Sequence, residues 1–194
     1  MSELFSIQLQ NRQQQGRDGV WLDLPTTTEQ VQAALRQIGI SSDNLQGLFI
    51  SGYFAEEEKR FAIPYNMVLA SNVDEVNFLA SRLETLSTGE RAELNAALQA
   101  PQSELFSIGR ITDFPENVDY YVHLPDVHGP AQLGDYYLNR SGMVDMPEEW
   151  KGGIDTAQFG RYVAQQEQGV FTQYGYLVKS GDEWQKVHEG QPVP

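Results

Sequence analysis

Helix start and stop signals divide this chain of 194 residues into short pieces. Asn72 with Glu75, and Ser87 with Glu90, have the spacing of a capping box, in which two side chains satisfy backbone N–H groups at the start of a helix. Proline is favoured in a first helical turn and glycine just beyond a last one. Signals of these kinds predict five helices, which begin near Thr26, Asn72, Ser87, Pro130 and Asp155 and end by Gly39, Leu86, Pro101, Gly142 and Gly169.

Clusters of β-branched and aromatic residues lie between these helices and predict strands. The predicted strands cover 4–9, 19–24, 48–54, 105–111, 120–124 and 171–178, and a turn at 180–182 leads to a last strand over 184–188. The expected class is α+β, in three small domains. These are a β-rich domain with one helix over 1–66, a helical domain over 67–101, and an α+β domain over 102–194.

The hexapeptide Ser-Glu-Leu-Phe-Ser-Ile occurs twice, at 2–7 and at 103–108. A period of about one hundred residues is too long for a solenoid, whose repeats span roughly 20 to 50 residues. The two copies begin the two strand-containing segments, so we predict that each forms a first strand. Duplication and convergence both remain open as explanations.

The formal net charge is −14, from 27 acidic and 13 basic residues. Such a chain repels nucleic acids and anionic membranes, because both require Lys and Arg to replace their counterions. No apolar run approaches the roughly 20 residues that span a bilayer, and the N-terminus does not resemble a signal peptide. The absence of cysteine excludes disulfides and thiolate metal sites. We therefore expect a soluble, cytoplasmic protein that binds neither nucleic acid nor membrane.

More than half of the acids lie in the segment 102–194, which has 14 acidic and six basic residues. Acids that recur with few intervening bases predict an anionic surface, and the complementary partner is a protein with a basic groove. The candidate partner-binding acids are Asp113, Glu116, Asp119, Asp126, Asp135, Asp145, Glu148, Glu149, Asp155 and Glu167.

No motif in the sequence indicates an enzyme. The three histidines, His123, His128 and His188, do not have the spacing of a zinc site, and neither a nucleophile elbow nor a phosphate-binding glycine loop is present. We therefore expect no metal and no cofactor. A small hydrolase that uses paired carboxylates, such as Glu148 and Glu149, remains an alternative, and it requires two carboxylates that face each other across a cleft.

The segment around the fourth helix carries an apolar strip, formed by Tyr136, Tyr137, Met143, Val144 and Met146. Because few Arg or Lys residues accompany the tyrosines of this region, base stacking is disfavoured relative to core packing or a protein interface. The strip is a possible dimer contact, with ordinary core as the alternative.

Three stretches of sequence resemble a known family. The first is Gly-Val-Trp-Leu-Asp-Leu-Pro at 19–25, and the second is Leu-Gly-Asp-Tyr-Tyr at 133–137, followed by Gly142 and by Met-Pro-Glu at 146–148. The third combines 154–161 with Gly-Val-Phe-Thr-Gln-Tyr-Gly-Tyr at 169–176. Their order and spacing are similar to those of ArdA-type antirestriction proteins.

This resemblance implies an elongated three-domain homodimer that imitates bent duplex DNA. It would occupy the DNA-binding groove in the methyltransferase core of a type I restriction-modification enzyme. The candidate acids would then stand in for phosphates, with no catalytic residue and no cofactor. Proteins of this family are carried on mobile genetic elements.

The chain also departs from the family pattern. Thr156, Ala157 and Tyr162 stand where family members often have acids, and residues 179–194 extend past the signature as a predicted extra hairpin. An alternative interpretation is therefore an acidic interaction module of a mobile element that binds another basic DNA-binding or defence protein.

Overall fold

The computed structural model describes residues 3–14, 18–41, 45–101 and 103–188. Helices account for 44% and strands for 18%, and the strands form small sheets, so the protein has the predicted α+β class. In these ranges, no helix has both the length and the apolar character needed to cross a membrane.

The first sheet is antiparallel and has the strand order β2-β1-β3. Its elements are β1 (Phe5–Asn11), β2 (Val20–Leu24), the helix α1 (Thr28–Gln37) and β3 (Leu48–Phe54). Alternation along β1 turns Phe5, Ile7 and Leu9 into the core, where they are fully or almost fully buried. Three predicted strands and the first predicted helix are thereby confirmed.

Four helices follow: α2 (Tyr65–Leu69), α3 (Val73–Glu84), α4 (Thr88–Gln99) and α5 (Ile108–Thr112). Asn72 and Glu75 form the predicted capping box of α3, with both reciprocal hydrogen bonds present. Single turns of 3-10 helix cover Glu57–Lys59, Phe114–Glu116 and Val118–Tyr120. The sequence did not predict α2 or these three turns, which are too short for a periodic pattern.

The second sheet is also antiparallel and has the order β4-β6-β5. In chain order the elements are β4 (Tyr121–Leu124), α6 (Pro130–Asp135), α7 (Glu148–Lys151), α8 (Thr156–Glu167), β5 (Val170–Thr172) and β6 (Gly175–Lys179). A π-helical turn, Tyr136–Arg140, continues α6. The strand predicted over 171–178 is a hairpin of two strands, because Gly175 adopts a φ of 120° and reverses the chain.

The chain forms two compact units. Unit 1 comprises 1–87, 105–116 and 186–194, and unit 2 comprises 88–104 and 117–185. Their bounds differ from those of the three predicted domains, because α3 packs with α5 in unit 1 whereas α4 packs with β4 and β6 in unit 2. The division into three domains stays a prediction.

The two copies of the hexapeptide have different structures. The first enters β1, whereas the second enters the helix α5, so the strand predicted over 105–111 is wrong. In the second copy the hydroxyl of Ser107 accepts a hydrogen bond from the backbone N–H of Arg110 and caps the helix, whereas the corresponding Ser6 of the first copy lies in β1 between β2 and β3. Identical sequences thus take the local structure that their surroundings favour.

The strand predicted over 184–188 is also wrong, since this segment has no regular secondary structure. Its backbone bonds to a side chain instead of to a neighbouring strand. The amide of Asn117 donates to the carbonyl of Gln185 (2.9 Å) and its oxygen accepts from the N–H of Gln185 (2.7 Å). The ring of Trp184 lies edge-on to that of Tyr120, with the centroids 5.1 Å apart.

Candidate interaction surface

Candidate acids are exposed at several places in unit 2, mainly in turns and loops. Asp119 is in the 3-10 turn before β4, Asp126 is in the turn after β4, Asp145 is in the irregular segment before α7, and Glu149 is in α7. Within the described ranges, no ion pair neutralises Asp126, Asp145 or Glu149. These three carboxylates are therefore open to solvent without a paired cation among the described residues.

A second group of candidate acids is exposed or half-buried but locally paired. Glu116 forms an ion pair with Arg82 in unit 1. In unit 2, Asp135 lies 3.4 Å from Nε of Arg140, and Glu148 lies 2.6 Å from Nζ of Lys151. Both side chains of the Asp135–Arg140 pair are about half exposed, and ion pairs of exposed side chains are weak, about 0 to 1 kcal/mol, so a strongly basic partner can replace this contact.

Asp155 has a structural role at the start of α8. Its side chain accepts a hydrogen bond from the N–H of Gln158 at 2.9 Å, as the sequence predicts. Asp155 remains exposed while it caps the helix, so its carboxylate still contributes charge to the surface of unit 2.

Asp113 corrects the expectation that all candidate acids face solvent. It is fully buried at the end of α5, and its Oδ1 accepts a hydrogen bond from the N–H of His188 at 2.7 Å. The chain segment that follows the second sheet therefore covers this carboxylate. We leave Asp113 out of the interaction surface.

Glu167, at the end of α8, has an internal role. One of its carboxylate oxygens accepts a hydrogen bond from the hydroxyl of Tyr137, and the other accepts from Tyr176 at 2.9 Å. Burial, together with these hydrogen bonds and the charge of Glu167, raises the pKa of both tyrosines, so both hydroxyls stay protonated and donate. Glu167 thus links the π-helical turn to β6 and is also left out of the interaction surface.

The possible dimer strip divides between core and surface. Tyr136 and Tyr137 pack against the buried cluster of unit 2 that includes Leu133 and Tyr176, as the core alternative predicts. Met143 is the most exposed member, at 76%, whereas Val144 and Met146 are half-buried. A dimer contact through Met143 stays a prediction.

Glycines of the sequence motifs set the packing of unit 2. A Cβ built on Gly134 of α6 would lie 1.9 Å from the carbonyl oxygen of Thr156, and one built on Gly160 of α8 would lie 1.8 Å from that of Pro130. No side chain fits at either position, so the two helices cross with their backbones in close contact. These motif residues hold the framework on which the exposed acids are presented.

Glu93 is a carboxylate of unit 2 that no sequence motif indicated. Glu93 of α4 is half-buried, and its Oε1 has no hydrogen-bond partner among the described residues. Burial, and then the charges of Glu90 and Asp119, raise its pKa to about 8. The spacing of Glu90 and Glu93 places them on one helix face, but no sequence signal places Asp119 beside them.

Two grooves and the positions of possible metal ligands are relevant to the alternative that the protein is a hydrolase. One groove of about 440 Å³ lies between α1 and α3 and has Asp74 in its lining, and another of about 490 Å³ lies beside β6 and has Glu167 in its lining. Each is lined by one carboxylate, whereas a glycosidase requires two. Among the residues that the structure describes, no three His, Asp or Glu side chains assemble as a metal site.

The fold and the surface define an acidic α+β protein whose exposed carboxylates form the chemically distinctive part of unit 2. The chain belongs to the ArdA family, since the family model described as Antirestriction protein (ArdA) matches residues 15–178. It is therefore an antirestriction protein, from a family of inhibitors directed against restriction-modification enzymes. None of the curated proteins compared with the chain matches it.

Proposed function

We propose that this antirestriction protein is a DNA mimic that occupies the DNA-binding groove in the methyltransferase core of a type I restriction-modification enzyme. The observation that supports this function is the exposure of Asp126, Asp145 and Glu149 without ion-pair partners in the described ranges. Unit 2 has 13 acidic and five basic residues, a formal net charge of −8. Such a surface is complementary to a groove built to hold phosphates.

The net charge matches a short segment of duplex. B-DNA carries one charge per about 1.7 Å of axis, so the −14 of one chain corresponds to roughly 24 Å, about seven base pairs. A homodimer, which we also propose, carries twice that charge and corresponds to about 14 base pairs. The charge of the dimer therefore equals that of a DNA site of one to two helical turns.

The mechanism requires binding alone. The exposed carboxylates displace the anions that associate with the basic groove of the enzyme, as DNA phosphates do, and thereby gain affinity that falls as salt rises. The enzyme is then unable to hold incoming DNA. We propose that this occurs in the cytoplasm and that the protein protects a mobile genetic element, with no cofactor and no chemical step of its own.

A direct test compares two charge-reducing double variants against a purified type I enzyme. Asp145→Asn with Glu149→Gln removes two open carboxylates from unit 2, and Asp18→Asn with Glu57→Gln removes two exposed carboxylates from unit 1. The measurement is the affinity for the enzyme over a range of salt concentrations, together with inhibition of DNA cleavage.

We expect the unit 2 variant to bind more weakly and to have a shallower slope of log affinity against log salt, because fewer charges meet at the contact. The unit 1 variant has the same net charge and should change less. Equal effects of the two variants would contradict the assignment to unit 2, and the absence of binding by the parental protein would contradict the proposed function. Binding to a different basic DNA-binding or defence protein, without the restriction enzyme, would support the alternative of an interaction module.

A further inference from the structure

The first sheet presents a tryptophan on the face opposite its core. Residues paired directly across antiparallel strands project to the same side, and Gln8 of β1 pairs with Trp21 of β2 and with Gly52 of β3. A Cβ built on Gly52 would lie 3.0 Å from Cη2 of Trp21. The indole therefore reaches across β1 and covers the backbone at Gly52, while 50% of Trp21 remains exposed.

A second aromatic ring lies on the same face, beside Ser6, which is two residues from Gln8 in β1. Ser6 pairs with Asp23 of β2 and with Phe54 of β3, and the exposed fraction of Phe54 is 59%. The hydroxyl of Ser6 donates to Asp23 at 2.8 Å, which fixes that carboxylate beside the aromatic rings.

A further carboxylate adds to the negative charge at this end of the sheet. The charge of Asp23 raises the pKa of Glu3, so the two acids lie close enough to interact. At the other end, Gln10 pairs with Phe49, and the guanidinium of Arg12 lies over the ring of Phe49, 5.1 Å from its centroid. Trp21 and Phe54 thus form an open pair of rings with acids on one side, which we name the aromatic face.

Exposed aromatic residues bordered by charge are typical of binding sites. Single exposed apolar residues are ordinary, but tryptophan is enriched among the residues that contribute most to protein–protein affinity. The indole of Trp21 lies across the sheet and offers a broad apolar surface, and Asp23 and Glu3 give that surface an acidic border. The complementary surface is an apolar patch bordered by basic side chains.

We propose that the aromatic face docks on the type I restriction-modification enzyme and adds an apolar contact to the ionic contacts of unit 2. This inference rests on the proposed function, which supplies a partner rich in basic groups. Charge complementarity favours this partner over the same face of a second copy, because two such faces would bring the carboxylates of Asp23 and Glu3 from both copies together.

The test uses three alanine variants of the full chain. Trp21→Ala and Phe54→Ala each remove one ring of the aromatic face. Phe106→Ala removes a ring that is equally open, with an exposed fraction of 63%, but lies outside the sheet. The affinity of each variant for the purified enzyme is measured at low and high salt, and circular dichroism checks its fold.

We expect Trp21→Ala to weaken binding by about tenfold or more, and Phe54→Ala to weaken it by a smaller factor. The salt slope should stay that of the parental protein, because an apolar contact releases no counterions. Phe106→Ala should bind as the parental protein does. This pattern separates the aromatic face from the carboxylates, whose removal lowers the salt slope.

Parental affinity in Trp21→Ala would overturn the inference and leave the proposed function intact, whereas no binding by the parental protein would overturn both. If Trp21→Ala does not fold, the affinity of Phe54→Ala decides by the same criterion. A Trp21→Ala variant that changes from dimer to monomer in sedimentation, with its affinity for the enzyme unchanged, would overturn the inference in favour of a contact between two copies.

Discussion

The half-buried carboxyl group of Glu93 makes the stability of this protein depend on pH. Its pKa is about 8 in the folded protein, because burial and then the charges of Glu90 and Asp119 disfavour the ionised form. In the unfolded chain the pKa returns to its ordinary value of 4.5. Between these two values the folded state holds a proton that the unfolded state has released, so the free energy of unfolding falls as pH rises from 4.5 to 8.

The size of this effect follows from the difference between the two pKa values. Each unit of difference corresponds to about 1.4 kcal/mol, so the full difference corresponds to about 5 kcal/mol. Solvent reaches part of the Glu93 side chain and screens the neighbouring charges. We therefore expect the free energy of unfolding to fall by about 2 kcal/mol between pH 4.5 and pH 8. Above pH 8 both states are ionised at this position, and the loss stays constant.

Glu93→Gln tests this reasoning, because glutamine has nearly the same shape and is neutral at every pH. At about pH 5 the variant and the parental protein should have similar stability, and at about pH 8.5 the variant should be more stable by about 2 kcal/mol, or about 4 to 8 °C in Tm. Urea titrations at several pH values measure the difference. Glu149→Gln is the control, since it removes an equal charge from an exposed position. If the two variants show the same pH dependence, Glu93 is not the source of the effect.

Two further predictions concern the packing of α6 against α8 and the segment that follows residue 178, where the family match ends. Gly160→Ala places a methyl group against the backbone of Pro130 and should destabilise the protein by about 1 to 3 kcal/mol. The control is Gly89→Ala, whose added methyl group has nothing within 4 Å and should be neutral or stabilising. Thermal unfolding measures both variants, and equal Tm values would contradict the close crossing of α6 and α8. Asn117→Ala removes two hydrogen bonds from the backbone of Gln185 and should lower the free energy of unfolding by about 1 to 3 kcal/mol. Proteolysis after residue 180 should become faster, because the segment around Gln185 loses these bonds. An unchanged cleavage rate would show that Asn117 does not hold this segment.

Local structure followed from short sequence signals where neighbours in sequence supply the interaction. The capping box of Asn72 and Glu75 and the hydrogen bond from Gln158 to Asp155 join residues three positions apart, so their spacing alone specified α3 and α8. The strand β3 was predicted with its observed bounds of 48–54, because a cluster of β-branched and aromatic residues is also a local property.

Predictions failed where a distant residue or a competing local bond decides the structure. Ser107 has the same neighbours as Ser6, yet it caps a helix whereas Ser6 lies in a strand between two partners. The segment 184–188 has the composition of a strand, but its backbone bonds to the side chain of Asn117, which lies 68 positions from Gln185. Composition does not carry information about such partners.

The sequence by itself determined the α+β class, the excess of acids and, through its motifs, membership of the ArdA family. Only the tertiary structure decided which acids are able to meet a partner. Asp113, Glu167 and Glu149 are the same kind of residue in the sequence, yet the first is buried under His188, the second bonds two tyrosines, and the third is open. The reason is physical: charge is a property of a residue, whereas exposure depends on the residues that the fold packs around it.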